Sequence, residues 1–194
     1  LQLAGLSLQG RDRPETLVDS LSGSQRFILG YLTEEVLGGL PIDLQDFLLH
    51  TSILEQLSPE LCTAVTGRVD SAAVLERMLN ANLFLVPLDD DGRWFRYHQL
   101  FAELLRHRLR RDRAGLEPEL HRRASHWLAE HAQPHAAIDH ALAAADYAHV
   151  IRLLETHGWV LLNRGEVRAM ERWLQALPET WRDGSPRLAL GFAW

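Results

Sequence analysis

Helical patterning over most of this chain is broken once, at Leu83–Leu109 (L-F-L-V-P-L-D-D-D-G-R-W-F-R-Y-H-Q-L-F-A-E-L-L-R-H-R-L), and that break constrains what the rest can build. Leu83–Leu88 is an apolar run. Asp91-Gly92 falls where a tight hairpin turn wants positive φ, and Arg93–Tyr97 is a second run rich in aromatics. A helix starts at once, with Leu100, Phe101, Leu104, Leu105 and Leu109 on one face. Helices before a hairpin and a helix after it predict a winged-helix module. His98 falls at the hinge between wing and closing helix. A helix start offers free backbone N–H groups and a positive dipole end, so a phosphate could be held there. The alternative for an isolated histidine is a capping or partly buried ring with no ligand.

The flanking segments are helical. Residues 1–40 predict two helices, about Leu1–Leu8 and Ser24–Leu37, with Ser22 or Ser24 as cap and Gly38-Gly39 as stop. Within 41–113, Asp43–Leu49 continues the apolar spacing. Ser58-Pro59-Glu60 is a strong helix start, Gly67 a stop, and Asp70 or Ser71 the next cap. Val74, Leu75, Met78 and Leu79 face inward from that helix. Residues 114–194 predict short antiparallel helices: Pro118–His131, one from Pro134, Tyr147–His157, a separate piece Trp159–Leu162, and Glu166–Leu177. Trp127, Trp159 and Trp173 fall at core-facing spacing. Such units resemble the start of an α-solenoid, without a clean match to the roughly 34-residue tetratricopeptide period. The fold class is therefore mainly α: a helical subdomain over 1–40, a winged helix over 41–113, and the start of a solenoid or tetratricopeptide-like region over 114–194. The uncapped opening and the Ser185-Pro186 helix start near the close suggest a piece of a longer protein.

Composition removes several chemistries. All 20 basic residues are arginine, so the chain has neither a P-loop lysine nor a Schiff-base lysine. The net charge of −6 argues against broad nucleic-acid binding. The helix before the wing would present Ser71, Ala72, Glu76, Arg77 and Asn80, a poor base reader. The wing tip Asp89-Asp90-Asp91 would be repelled by phosphates, and Arg106–Arg113 suits a solvated helix end. Ten histidines invite a metal site, but His121, His126 and His131 are spaced by five, which spreads them around a helix, and no H-E-x-x-H occurs. No G-x-S-x-G and no activated cysteine setting is present, and the lone Cys62 fits a buried small hydrophobe. No apolar run approaches the roughly 18 residues of a membrane span, and the start carries no signal-peptide pattern. The expected location is cytoplasmic.

Four blocks, G-S-Q-R-F-I-L-G-Y-L-T-E-E-V-L (Gly23–Leu37), F-L-L-H-T-S-I-L (Phe47–Leu54), F-R-Y-H-Q-L-F-A-E-L-L-R (Phe95–Arg106) and L-H-R-R-A-S-H-W-L-A-E-H (Leu120–His131), resemble the large ATP-binding LuxR-type transcriptional regulators of the maltose-gene activator type, which are signal-transduction ATPases with numerous domains. The resemblance covers nearly the whole chain. It implies a P-loop domain before this segment, a helical sensor region from 114 onward, and a C-terminal DNA-binding domain. In the wider class the winged helix carries a Met-His-Asp signature whose histidine reaches the β-phosphate of ADP. Tyr97-His98-Gln99 occupies the matching place, with the histidine kept and its neighbours changed. The implied function is a non-catalytic regulatory segment of an ATP-dependent activator. It would hold no cofactor itself, in a parent that binds ATP and ADP as a slow ATPase switch. It would couple nucleotide state and a small-molecule inducer to self-association. Its partners would be the parent's own P-loop and DNA-binding domains, with no nucleic acid or membrane contacted by this segment. The alternative is a helical scaffold that binds another protein.

Overall fold

The computed structural model describes residues 37–81 and 84–182. The chain divides into two compact units, Leu1–Leu40 and Pro41–Trp194, and the second holds everything that follows. The helices expected over 1–37 and the helix start at Ser185-Pro186 lie outside the described residues.

The unit opens with three short helices: α1 (Ile42–Thr51), α2 (Pro59–Thr66) and α3 (Ser71–Asn80). Ser58 caps α2 by accepting from the Leu61 amide at 3.2 Å, and Pro59 takes the first turn, where its missing N–H has no function to lose. Gly67 ends α2 at φ +77°, a conformation that L side chains resist. Asp70 stands at the N-cap of α3 without capping it through its side chain. Its carboxylate is taken by Arg68, which also reaches Asp43 of α1 at 3.1 Å and so ties the two helix starts together. Val74, Leu75 and Met78 of α3 are buried, whereas Leu79 is half-buried.

Strands β1 (Leu85–Pro87) and β2 (Phe95–Tyr97) pair antiparallel, with Val86 opposite Arg96. The strands are shorter than the apolar runs that encode them, and the turn is longer than a two-residue one. Leu88 still donates to the Trp94 carbonyl at 2.8 Å, and Asp89 Oδ1 accepts from the amides of Arg93 and Trp94, so the loop is organised by a side chain. Gly92 supplies the positive φ of +63°. Phe95 also exchanges two backbone hydrogen bonds with Leu57, at 2.8 and 2.9 Å, which fastens the hairpin to the segment between α1 and α2.

The closing helix α4 (Gln99–Arg113) buries Phe101, Leu104, Leu105 and Leu109. With Phe47, Leu48, Leu57, Leu61, Leu75 and Met78 these side chains form the winged-helix core. Among the described residues the fold is mainly helical, with one hairpin and a winged helix, as the patterning predicts.

After a short 3-10 turn (Ala114–Leu116) come α5 (Glu117–Glu130), α6 (Pro134–Ala143), α7 (Tyr147–Asn163), α8 (Val167–Ala176) and the four-residue α9 (Glu179–Arg182). Small buried residues, Ala124 and Ser125 on α5 and Ala137 and Ala141 on α6, let these helices approach closely, and Ser125 Oγ donates to the Ala137 carbonyl at 2.7 Å. Three successive connections share one geometry. Ala132, Ala145 and Gly165 each take positive φ. The next amide then reaches back five residues, Gln133 to Leu128, Asp146 to Ala141 and Glu166 to Leu161.

Two expectations fail in this region. Tyr147–Asn163 is one helix, not two pieces: Gly158 is buried on the same stripe as Leu154 and Leu161, where packing outweighs its poor helix propensity. That continuity turns Trp159 away from the stripe, and it is 70% exposed instead of core-facing. Trp127 is only half-buried, while Trp173 is fully enclosed.

Candidate functional site

The strand alternation of β2 buries Phe95 and Tyr97 and leaves Arg96 outside. Tyr97 is fixed from below: its hydroxyl lies 2.7 Å from Thr51 Oγ1, which in turn donates to the Phe47 carbonyl at 2.7 Å. Burial pushes the Tyr97 phenol well above its usual range, so it stays a neutral donor. The chain then turns at His98, the N-cap residue of α4, with φ −56° and ψ 135°. Its amide donates to the Phe84 carbonyl at 2.7 Å, and its carbonyl accepts from Ala102 at 3.0 Å. The ring does not cap the helix and is exposed.

Three features make this corner able to receive an anion. The first α4 amides have no partner within the helix, as at any helix start. The first turn carries no acidic residue. Gln99 is turned aside, its amide nitrogen donating to Glu103 at 3.1 Å. Beneath the corner, Phe84 holds φ +55°, a strained setting for an aromatic residue. Its ring packs against Phe101 at 4.9 Å while its carbonyl receives the His98 amide. The apolar pattern gave no hint of that strain.

The surfaces that would read nucleic acid are spent or wrongly charged. On α3, Ala72, Glu76, Arg77 and Asn80 are exposed, but Ser71 is not. It is fully buried, with Oγ donating to the Arg68 carbonyl at 2.8 Å, which corrects its assignment to the outer face. The arginines of α4 are engaged: Arg108 and Arg111 with Asp112, Arg110 with Glu117, Arg113 with Asp46, and Arg106 with the Ser52 carbonyl. At the wing tip Arg93 pairs with Asp91, leaving Asp89 and Asp90 without a counter-charge among the described residues.

Two of the histidines spread around α5 find partners on neighbouring helices, which their spacing could not show, and the third meets a ring of α5 itself. His121 faces His140 of α6 with Nδ1 atoms 2.7 Å apart. His126 stacks on His149 of α7 at 4.3 Å, and His131 on Trp127 at 3.7 Å. Burial, then the neighbouring His121, pushes His140 down to about 3. Burial also lowers His121, against the opposing pull of Glu117. Beside the first pair lies a cleft of about 360 Å3, reaching Leu54, Leu61 and Trp94. Among the described residues no three side chains stand together as a metal site, and no helix is long and apolar enough to cross a membrane.

Hairpin, three-helix base and closing helix define a winged-helix module, and residues 33–117 match the MalT winged helix domain. The whole chain is 39% identical to serine/threonine-protein kinase PknK from two strains of Mycobacterium tuberculosis, CDC 1551 / Oshkosh and H37Rv, and from Mycobacterium bovis. All 194 residues align, and they span 18% of each relative. The match supports a MalT-like relationship for the part of the chain that holds the blocks Phe47–Leu54 and Phe95–Arg106. The kinase name of these relatives is a context that the blocks did not suggest.

Proposed function

We propose that this chain is a non-catalytic regulatory segment of a large MalT-like, ATP-dependent transcriptional regulator, in which the winged helix latches the resting, ADP-bound arrangement. The observation that carries the reading is the His98 ring, exposed and, among the described residues, unengaged at the start of α4 in a module that matches the MalT winged helix domain. In the parent protein His98 would touch an ADP phosphate supplied from the P-loop domain, assisted by the first α4 amides. Residues 1–40 would adjoin that domain, 41–113 form the latch, and 114–194 begin the inducer-sensing region. The repeated turn at Ala132, Ala145 and Gly165 supports a solenoid-like continuation. ATP and inducer would favour an open arrangement that self-associates, provided each binds that arrangement more tightly than the closed one. The setting would be cytoplasmic, and the DNA-binding domain would lie elsewhere in the parent.

The test is His98→Ala in the full-length protein, read by ADP dissociation and inducer-free transcription. Faster ADP release with higher basal output supports the latch, and neither changing refutes it. The kinase name of the relatives favours a second reading, in which the same segment is a helical scaffold within a kinase-bearing chain. Under that reading His98→Ala leaves nucleotide retention alone while deletion of 41–182 lowers partner capture.

A further inference from the structure

The cleft between the hairpin and helices α5 and α6 is of small-ligand size, about 360 Å3. Its composition is selective. The chain has 20 arginines and no lysine, yet among the described residues no arginine lines the cleft. Its carboxylates are Glu55 and Asp139, and its remaining ionisable groups are the imidazoles of His121, His135 and His140, with His135 Nε2 engaged by Glu166. Asp139 already accepts from Trp173 Nε1 at 2.7 Å and pairs with Arg172 at 3.1 Å. Glu55 makes no ion pair among the described residues and is exposed, which leaves it as the available anion.

The imidazole pair adds a neutral acceptor. Two ring nitrogens 2.7 Å apart share one proton, so the two rings are opposite tautomers. His121 Nε2 lies 4.0 Å from the Glu117 carboxylate, which favours a proton on that nitrogen. His121 Nδ1 is then the acceptor and His140 Nδ1–H the donor. His140 Nε2 is left as a bare lone pair, with no hydrogen-bond partner among the described residues and not sealed from solvent. The ring lines the cleft, and its burial keeps it uncharged at neutral pH. Trp94 contributes an indole surface, and Leu61 and Leu128 contribute apolar wall.

We propose that this cleft binds a small organic ammonium ion with an apolar body. The ammonium N–H groups would meet the His140 lone pair and the Glu55 carboxylate, the indole would add cation–π attraction, and the apolar body would cover Leu61 and Leu128. An anion would meet the Glu55 carboxylate and, among the described residues, no lining arginine. The site goes beyond the nucleotide latch, and its test uses no nucleotide.

Titration of the 194-residue chain with phenethylammonium, phenethyl alcohol and phenylacetate, followed by calorimetry and tryptophan fluorescence, separates charge from shape. Expected is saturable one-site binding of the ammonium, with the alcohol and the carboxylate weaker by about fivefold or more, the worth of one partly exposed charge contact. Glu55→Gln, an exposed and fold-neutral change, should weaken the ammonium by a similar factor and leave the alcohol unchanged. Trp94→Leu should weaken the ammonium more than the alcohol. Equal affinity for ammonium and alcohol, no effect of Glu55→Gln, or no saturation up to about 10 mM, the weak end of specific binding, overturns the proposal.

Discussion

Acidification probes the contact between His121 and His140 directly, because the native fold holds both rings uncharged between α5 and α6. His140 takes up a proton only near pH 3 in the folded chain, against the ordinary 6.5, chiefly through burial and further through His121. A depressed histidine pKa means that the unfolded chain binds that proton more tightly than the native one. The stabilisation is therefore fully present above 6.5 and is lost as pH falls from there toward about 3. Each pH unit inside that window is worth about 1.4 kcal/mol. Between about pH 7.5 and about pH 5 the native state should lose roughly 2 kcal/mol from this group alone. His121 and His149, lowered mainly by burial, act in the same direction and deepen the fall. Asp112 and Glu119, held low by hydrogen bonds from Arg111 and Arg123, lose their contribution at still lower pH. The matched variant is His140→Gln, whose amide can still donate to His121 but does not titrate. Urea unfolding followed by tryptophan fluorescence gives stability at both pH values for both proteins. The variant should lose about 2 kcal/mol less than the wild type over this interval. Equal pH dependence in the two proteins would refute the reasoning.

Further outcomes follow from local geometry. Ala132→Gly and Ala145→Gly should each raise stability by about 0.5–1 kcal/mol in urea unfolding, because both alanines sit at positive φ where glycine is unstrained. Gly67→Ala should lower it by about 1 kcal/mol from backbone strain alone, since an added Cβ meets nothing within 4 Å. Leu105→Ala, at a fully buried position of α4, should cost about 3 kcal/mol in the same assay. A gel shift with this chain at about 150 mM salt should show no retained duplex, the result expected of an acidic surface.

Legibility followed the range of the forces involved. The hairpin, the closing helix and the cap at Ser58 are short-range features, and periodicity with turn chemistry was enough to place them. The placement of His98 at the start of α4 was legible for the same reason, whereas its exposure and free ring required the structure. Failures came where packing between helices overrode a local signal. Gly158 reads as a break but sits on a buried stripe, and Ser71 reads as a polar outer residue but is sealed by its bond to Arg68. The imidazole pair was illegible in principle, since spacing within α5 says nothing of which residue on α6 each ring meets. The cleft beside it draws on Trp94, Glu55 and α6, segments brought together only by the fastening of Phe95 to Leu57 and the close packing of α5 on α6.

A winged helix commonly suggests a DNA reader, and here the charges argue for a different use of the same scaffold. The cations of α4 are held in pairs with Asp112, Glu117 and Asp46, two of which lie outside the helix itself. Releasing them to phosphates would therefore loosen the junctions of α4 with α1 and α5. The wing presents aspartates where a groove reader would present basic residues. By contrast, His98 can meet an anion without giving up a ring contact, because its fold role is carried by its backbone amide and carbonyl. On the proposed reading, a side chain with no ring contact among the described residues, at a helix start, suits a single small phosphate better than a duplex. This separation of duties also makes His98→Ala a clean perturbation: it should alter anion contact while leaving the hairpin and α4 in place, and circular dichroism of the variant can verify that before any nucleotide is added.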